Sequence, residues 1–269
     1  MKVYQRDYRT LMEDEQLEWD RLKKEEIIKS VGNLEIKRSL FHKYPKAARH
    51  FRSLFPNNYL DPIELKDEAK INNMLSNFLK VIEDQKSNEL SILNFINNNE
   101  AYPLIASILK KYSFGHHDAY IFPEFQLGNS YRVDYLLVGK SSGGYEFLFV
   151  ELEHPNEKIF LKDGYYGEAF RKGLKQVKDW RRWLDSNFVS LQETFRKSKN
   201  LDKALHEEFL VSDSTRWHFA VVAGRRYDFE KNKEYTYKLR REEVVNKIDI
   251  LHYDNLYDMA KNIIGEATY

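Results

Sequence analysis

The chain has 269 residues, 42% of them apolar and 14% aromatic, enough material for a sizeable core. A net charge of +1 excludes coating of nucleic acid by bulk electrostatics, and the absence of cysteine excludes disulfides and thiolate zinc sites. No apolar run reaches the roughly 18 residues of a membrane span, and the opening MKVYQRDYRTLMEDEQ lacks the apolar centre of a secretion signal, so a cytoplasmic protein with no membrane association is expected.

Residues 1–87 read as a helical N-terminal region. Apolar positions between Leu11 and Ile28 predict one helix, and Leu34 to Arg52 a shorter second one. Asp61-Pro62 marks another helix start, because the N–H that proline lacks has no partner in a first turn anyway. Leu65, Met74, Leu75, Phe78, Val81 and Ile82 follow at near-helical spacing. No catalytic constellation falls here.

Residues 88–269 read as a second unit. Leu90, Leu93 and Ile96 form a short apolar helix face, and Pro103 restarts a helix that Gly115 ends. Three strands are predicted over 119–127, 131–138 and 145–153, joined by turns at Gly128-Asn129-Ser130 and Ser141-Ser142-Gly143-Gly144, as an antiparallel meander. A long helix over 165–186 carries Phe170, Leu174, Val177 and Leu184 on its core face, and Leu201, Leu205 and Phe209 predict a further amphipathic helix. A buried strand over 217–223, a helix over 239–247, a strand over 248–253 and a helix from Asp254 complete the chain. This order predicts an α/β domain with a mixed sheet flanked by helices.

Acids interrupt the apolar strands where a core residue belongs. Asp134 breaks Val133-Asp134-Tyr135-Leu136-Leu137-Val138, and Glu151 and Glu153 end Phe147-Leu148-Phe149-Val150-Glu151-Leu152-Glu153. An isolated buried carboxylate costs several kcal/mol unless it is paired, hydrogen-bonded or bound to metal. Period-two alternation puts Glu151 and Glu153 on one face, and hairpin pairing brings Asp134 towards them. Hard oxygen ligands of this kind suit Mg²⁺, with Mn²⁺ as an alternative. Buried salt bridges to arginine are the competing explanation. Tyr165 to Lys199 holds nine Lys/Arg against four Asp/Glu, a local +5 that fits phosphate contact or a solvated helix face. No nucleotide-binding glycine loop or nucleophile elbow is present.

Taken together, Pro123-Glu124-Phe125, Leu127-Gly128, Asp134, Val150-Glu151-Leu152-Glu153, Gln176-Val177, Trp180, Val222, Gly224-Arg225, Tyr253-Asp254 and Leu256 resemble, in order and spacing, the PD-(D/E)xK nuclease core. More closely, they resemble the nuclease domain of the Shedu anti-phage defence proteins. The resemblance covers roughly residues 88–264 and implies a metal-dependent DNA endonuclease acting on double-stranded DNA, a regulatory or sensing N-terminal region, and homo-oligomers. By it, Asp134 and Glu151 hold the metal, with Glu153 as a further ligand. Glu153 departs from the family's usual lysine. Gln176 matches the family's helix position and would orient water or phosphate. Lys172 and Lys175 are cationic substitutes for the lysine, and with Arg225 they are candidates for contact with the DNA backbone; an ion pair with an acid of the sheet is the other reading of Arg225. The alternative is a non-catalytic nucleic-acid-binding or interaction module on the same fold.

Overall fold

Strand-forming β-branched and aromatic residues between Asp118 and Leu152 fold into three consecutive antiparallel strands, β3 (Asp118–Leu127), β4 (Tyr131–Ser141) and β5 (Gly144–Leu152). They are preceded by a small hairpin of β1 (Ile27–Val31) and β2 (Leu34–Lys37). Two parallel strands, β6 (Trp217–Val222) and β7 (Ile248–Leu251), extend the main sheet to the order β3-β4-β5-β6-β7. The computed structural model describes residues 7–10, 12–32, 34–38, 40, 53–162 and 164–269.

Helices cover both faces. On one side lie α2 (Glu68–Glu83), α3 (Glu89–Asn98), α4 (Pro103–Ala106) and the last helix, α9 (Tyr253–Asn262). Ile71, Phe78, Ile92, Leu104 and Leu256 from these helices bury against Leu137, Leu148 and Val150 of the sheet. On the other side, α5 (Glu168–Asn187) sets Phe170, Leu174, Val177 and Trp180 against Leu136, Phe147 and Phe149. The short helix α6 (Gln192–Ser198) and Leu54 and Phe55 complete that layer. The edge of β3 is closed by the chain at Asn58–Leu60, whose backbone bonds Ala119 and Ile121. The expected α/β architecture, with a mixed sheet flanked by helices, is what the chain forms.

Five expectations need correction. The first helix, α1 (Glu13–Glu26), stops short of Ile28, because Ile27 and Lys29 to Val31 pair in the β1–β2 hairpin around Gly32, at φ +61°, with Ile28 at a bulge. Leu34 to Lys37 is therefore strand, and 41–52 of the proposed second helix lie outside the described residues. Asp61-Pro62 opens only a 3-10 turn, Pro62–Lys66; Asp67 then caps α2 through the Lys70 N–H. No helix carries Leu201 and Leu205. Asn200 donates its N–H to Leu54 O and accepts the Asp202 N–H, which turns the chain locally instead. Finally, the helix placed at 239–247 is α8 (Lys233–Val244), preceded by a short α7 (Arg226–Lys231). Only Thr236, Leu239 and Glu243 of α8 are buried, too narrow an apolar stripe to read from sequence.

Candidate active site

The regular ladder stops where the acids begin. Strand β3 pairs Pro123 with Tyr135 and Phe125 with Val133, so Glu124 stands opposite Asp134 at a break in the pairing, at φ +50°. On the other side β4 and β5 pair as far as Tyr135 with Val150, which leaves Asp134 beside Glu151. There the Asp134 carboxylate replaces the missing backbone bond by accepting the Leu152 N–H at 2.8 Å. Because Tyr145, Phe147 and Phe149 pack under α5, alternation sends Glu151 and Glu153 to that same face.

Glu151 and Glu153 are each only 2% exposed. Room for Glu153 comes from a glycine in the middle of α5: a Cβ on Gly173 would lie 2.6 Å from Glu153 Cγ. One residue earlier on that helix, Lys172 brings Nζ to 3.7 Å from Glu153 Oε1 and 3.8 Å from Glu89 Oε2. Glu89 is the first residue of α3 and faces the carboxylates from the opposite layer. Beneath them, the fully buried Tyr253 donates its hydroxyl to the Glu153 carbonyl at 2.6 Å. An open cleft of about 440 Å³ beside them is lined by Glu89, Glu153, His154 and Lys172, among others.

The charges are strongly frustrated. Burial pushes the Asp134 carboxyl up to about 7, against the Leu152 hydrogen bond, and Glu89 adds to the rise. Burial likewise lifts Glu153 to about 7, although Lys172 opposes it. Glu151 is raised well above its usual range by burial and then by Asp134, Glu153 and Glu89. Glu151 Oε2 and Glu153 Oε1 are buried without a hydrogen-bond partner. Buried oxygens of this kind are normally satisfied, and an orphan acceptor among like charges favours a cation or a proton. The donor set fits a hard divalent cation. Among the described residues no three His, Cys, Asp or Glu side chains close into a ligand cage as they stand. Mg²⁺ needs none, since it is typically held by one or two carboxylates and keeps its waters.

Of the expected site residues, the structure brings Asp134, Glu151, Glu153 and Lys172 together. Gln176 is half-buried and one helical turn beyond Lys172 and Gly173 on the same side of α5; it makes no hydrogen bond with a described residue. Lys175 is tied to Asp179 at 2.7 Å while remaining largely exposed. Arg225 is committed elsewhere: it grips Asp254 through two nitrogens and donates to Ile82 O, with its side chain only 14% exposed. Glu124 pairs with Arg132 at 3.0 Å instead of turning to the cluster. The His116 and His117 rings lie 4.5 Å apart, tilted by 51°, with no third metal-binding side chain among the described residues. Sequence reading missed Glu89 and Gly173, and named Tyr253 only within the resemblance, without a role beside the carboxylates. An acid at a helix start reads as an ordinary complement to the helix dipole, and only the tertiary fold lays it over the strands.

The family described as "Shedu protein SduA, C-terminal" matches residues 66–257 of the chain. No curated protein matches it.

Proposed function

The chain belongs to the Shedu family of anti-phage defence proteins, and from that premise we propose that it is a metal-dependent DNA endonuclease. The observation that carries the reading is the crowd of buried carboxylates at the end of β5, with buried oxygens on Glu151 and Glu153 that accept no hydrogen bond, the latter 3.7 Å from the Lys172 ammonium. Asp134 and Glu151 would hold Mg²⁺, with Glu153 as a further ligand. When bound, the ion lowers the pKa of water and neutralises charge on a phosphodiester.

The chain's own residues supply the remaining parts. Asp134 is oriented by the Leu152 N–H, so its second oxygen stays available. Lys172 is assigned the part of the usual lysine, whose position Glu153 occupies. Its ammonium reaches the cluster from α5 and is held charged by Glu153 and Glu89 against the cost of burial. There it can stabilise charge developing on a phosphate oxygen. Gln176, further along the same helix, is assigned to orienting water or phosphate once substrate is present. Tyr253 fixes the backbone of Glu153, which keeps the strand end from fraying. Lys172 and Lys175 are the assigned backbone contacts for double-stranded DNA; Arg225, held in its ion pair, is withdrawn from that role. The region before residue 88 is assigned to sensing, and the working form to a homo-oligomer.

Glu153 in place of lysine favours one competing reading, a module that binds DNA without cutting it. Purified protein incubated with linear and circular duplex DNA, with Mg²⁺ or Mn²⁺ against a chelator, separates the two. Cutting that requires metal supports the nuclease. Retention of duplex on a native gel without cutting in any metal supports the binding module.

A further inference from the structure

A second concavity opens at the same end of the sheet as the carboxylates, beyond the C-terminal ends of β6 and β7. Its walls are α7 and α8, His252 closes it after β7, and its volume is about 590 Å³. The spacing of Lys233, Tyr237 and Arg240 puts all three on one stripe of α8, and Arg226, Phe229 and Glu230 face them from α7.

Arg240 and Lys233 have no ion-pair partner among the described residues, whereas His252 Nδ1 lies 3.7 Å from Asp254 Oδ2. Arg240 is half-buried with its guanidinium over the Phe229 ring at 5.5 Å, and its Nε donates to Ile250 O. No carboxylate among the described residues lies within ion-pair distance of it; burial lowers its pKa, opposed by Tyr237 and by Asp249 at longer range. Lys233 rests its Nζ over the Tyr237 ring at 5.7 Å, again with no acid paired among the described residues. His252 is buried against Phe229, and its Nδ1 accepts the Asn255 N–H at 3.2 Å. Burial holds its pKa near 4, so at neutral pH the proton sits on Nε2, which is left to donate. Arg226 is spoken for by Asp258, and Glu230 is the single acid of the lining.

A half-buried guanidinium without a counter-ion is costly, and an anion in the concavity relieves that cost. A solvated helix face would not bury Arg240 and His252 around a hollow. The size is that of a small-molecule site, about 300–1,000 Å³, whereas duplex DNA presents a convex rod. Tyr237 is half exposed and offers a flat ring at the rim. We propose that this concavity is a nucleotide site, in which Arg240, Lys233 and His252 donate to the phosphates and Tyr237 stacks on the base. Neither the metal nor the cleavage reaction enters into it. Its floor does adjoin the carboxylate cluster, since His252 precedes the Tyr253 that bonds Glu153.

The test is an equilibrium titration of the full chain in chelator, which keeps the carboxylate cluster out of the measurement. The probes are ATP, inorganic pyrophosphate, adenosine and a short single-stranded oligonucleotide, against wild type, Lys233→Gln, Arg240→Gln and Tyr237→Ala. ATP should bind wild type, and Lys233→Gln and Arg240→Gln should each weaken it by about tenfold, the worth of a charge-assisted phosphate contact. Tyr237→Ala should weaken ATP while sparing pyrophosphate. Lys233 is exposed, so its substitution tests the site even where Arg240→Gln lowers the melting temperature. Wild type that ignores ATP, ATP affinity unchanged in both Lys233→Gln and Arg240→Gln, or binding confined to the oligonucleotide would each overturn the proposal.

Discussion

Replacing Glu151 by Gln keeps its volume and removes a carboxyl that the fold buries among three others only by crowding its charge or by taking up a proton. The variant should therefore be more stable than wild type in metal-free buffer at pH 8, by about 1 kcal/mol or more, while losing the stabilisation that Mg²⁺ confers. Urea unfolding with and without metal measures both effects, and a variant less stable in chelator would contradict the crowding. Gly173→Ala works through shape: its new Cβ meets Glu153 Cγ at 2.6 Å and must displace that carboxylate. A mid-helix Gly→Ala change normally gains about 1 kcal/mol, so a net loss, with a weakened Mg²⁺ response, is the expected sign of the clash. At this scale the sequence exposes Asp134, Glu151 and Glu153 because acids interrupt apolar strands. It hides Glu89 and Gly173, whose types are ordinary for a helix and whose meaning depends on what packs across from them. For Arg225 the sequence leaves a phosphate contact and an ion pair equally open, because its partner Asp254 lies 29 residues on.

Among the elements, β3 to β6 and α5 were legible because long runs of Val, Phe, Tyr and Leu keep a period of two or 3.6. The β1–β2 hairpin, α7 and the irregular stretch at 199–206 were not. The hairpin's residues are exposed on both faces, and Asn200 sets the chain's course through a bond to Leu54 far away in sequence. Long-range clamps of this sort also join elements to each other. Arg225 ties the C-terminal end of α2, through Ile82 O, to Asp254 in the first turn of α9. Arg225→Ala strands a mostly buried Asp254 and should cost about 3 kcal/mol. Double-mutant cycles with Asp254→Ala should return a strong coupling, and additive effects would remove the clamp from the account.

For the molecule as a whole, the raised carboxyls make stability depend on pH in a definite direction. Burial pushes Asp134 and Glu153 up to about 7 in the folded chain, against ordinary values of 3.8 and 4.5. Their contribution is fully present below those unfolded values and is lost as pH rises through about 7. The metal-free melting temperature should therefore fall between about pH 5 and pH 8, and Mg²⁺ should restore more of it at the higher pH, where the ligands are ionised. A metal-free melting temperature that rises across this window would contradict the burial of these acids.

The central claim is that the carboxylates at the end of β5 form the centre of a DNA-cutting enzyme. Cleavage of one duplex substrate in Mg²⁺, compared between wild type, Asp134→Asn and Glu151→Gln, tests it most directly. Both substitutions preserve size, and Asn keeps an acceptor for the Leu152 N–H. The account predicts a fall of at least about 100-fold in each, with the fold intact by circular dichroism. Cutting at the wild-type rate in either variant would place the chemistry somewhere else.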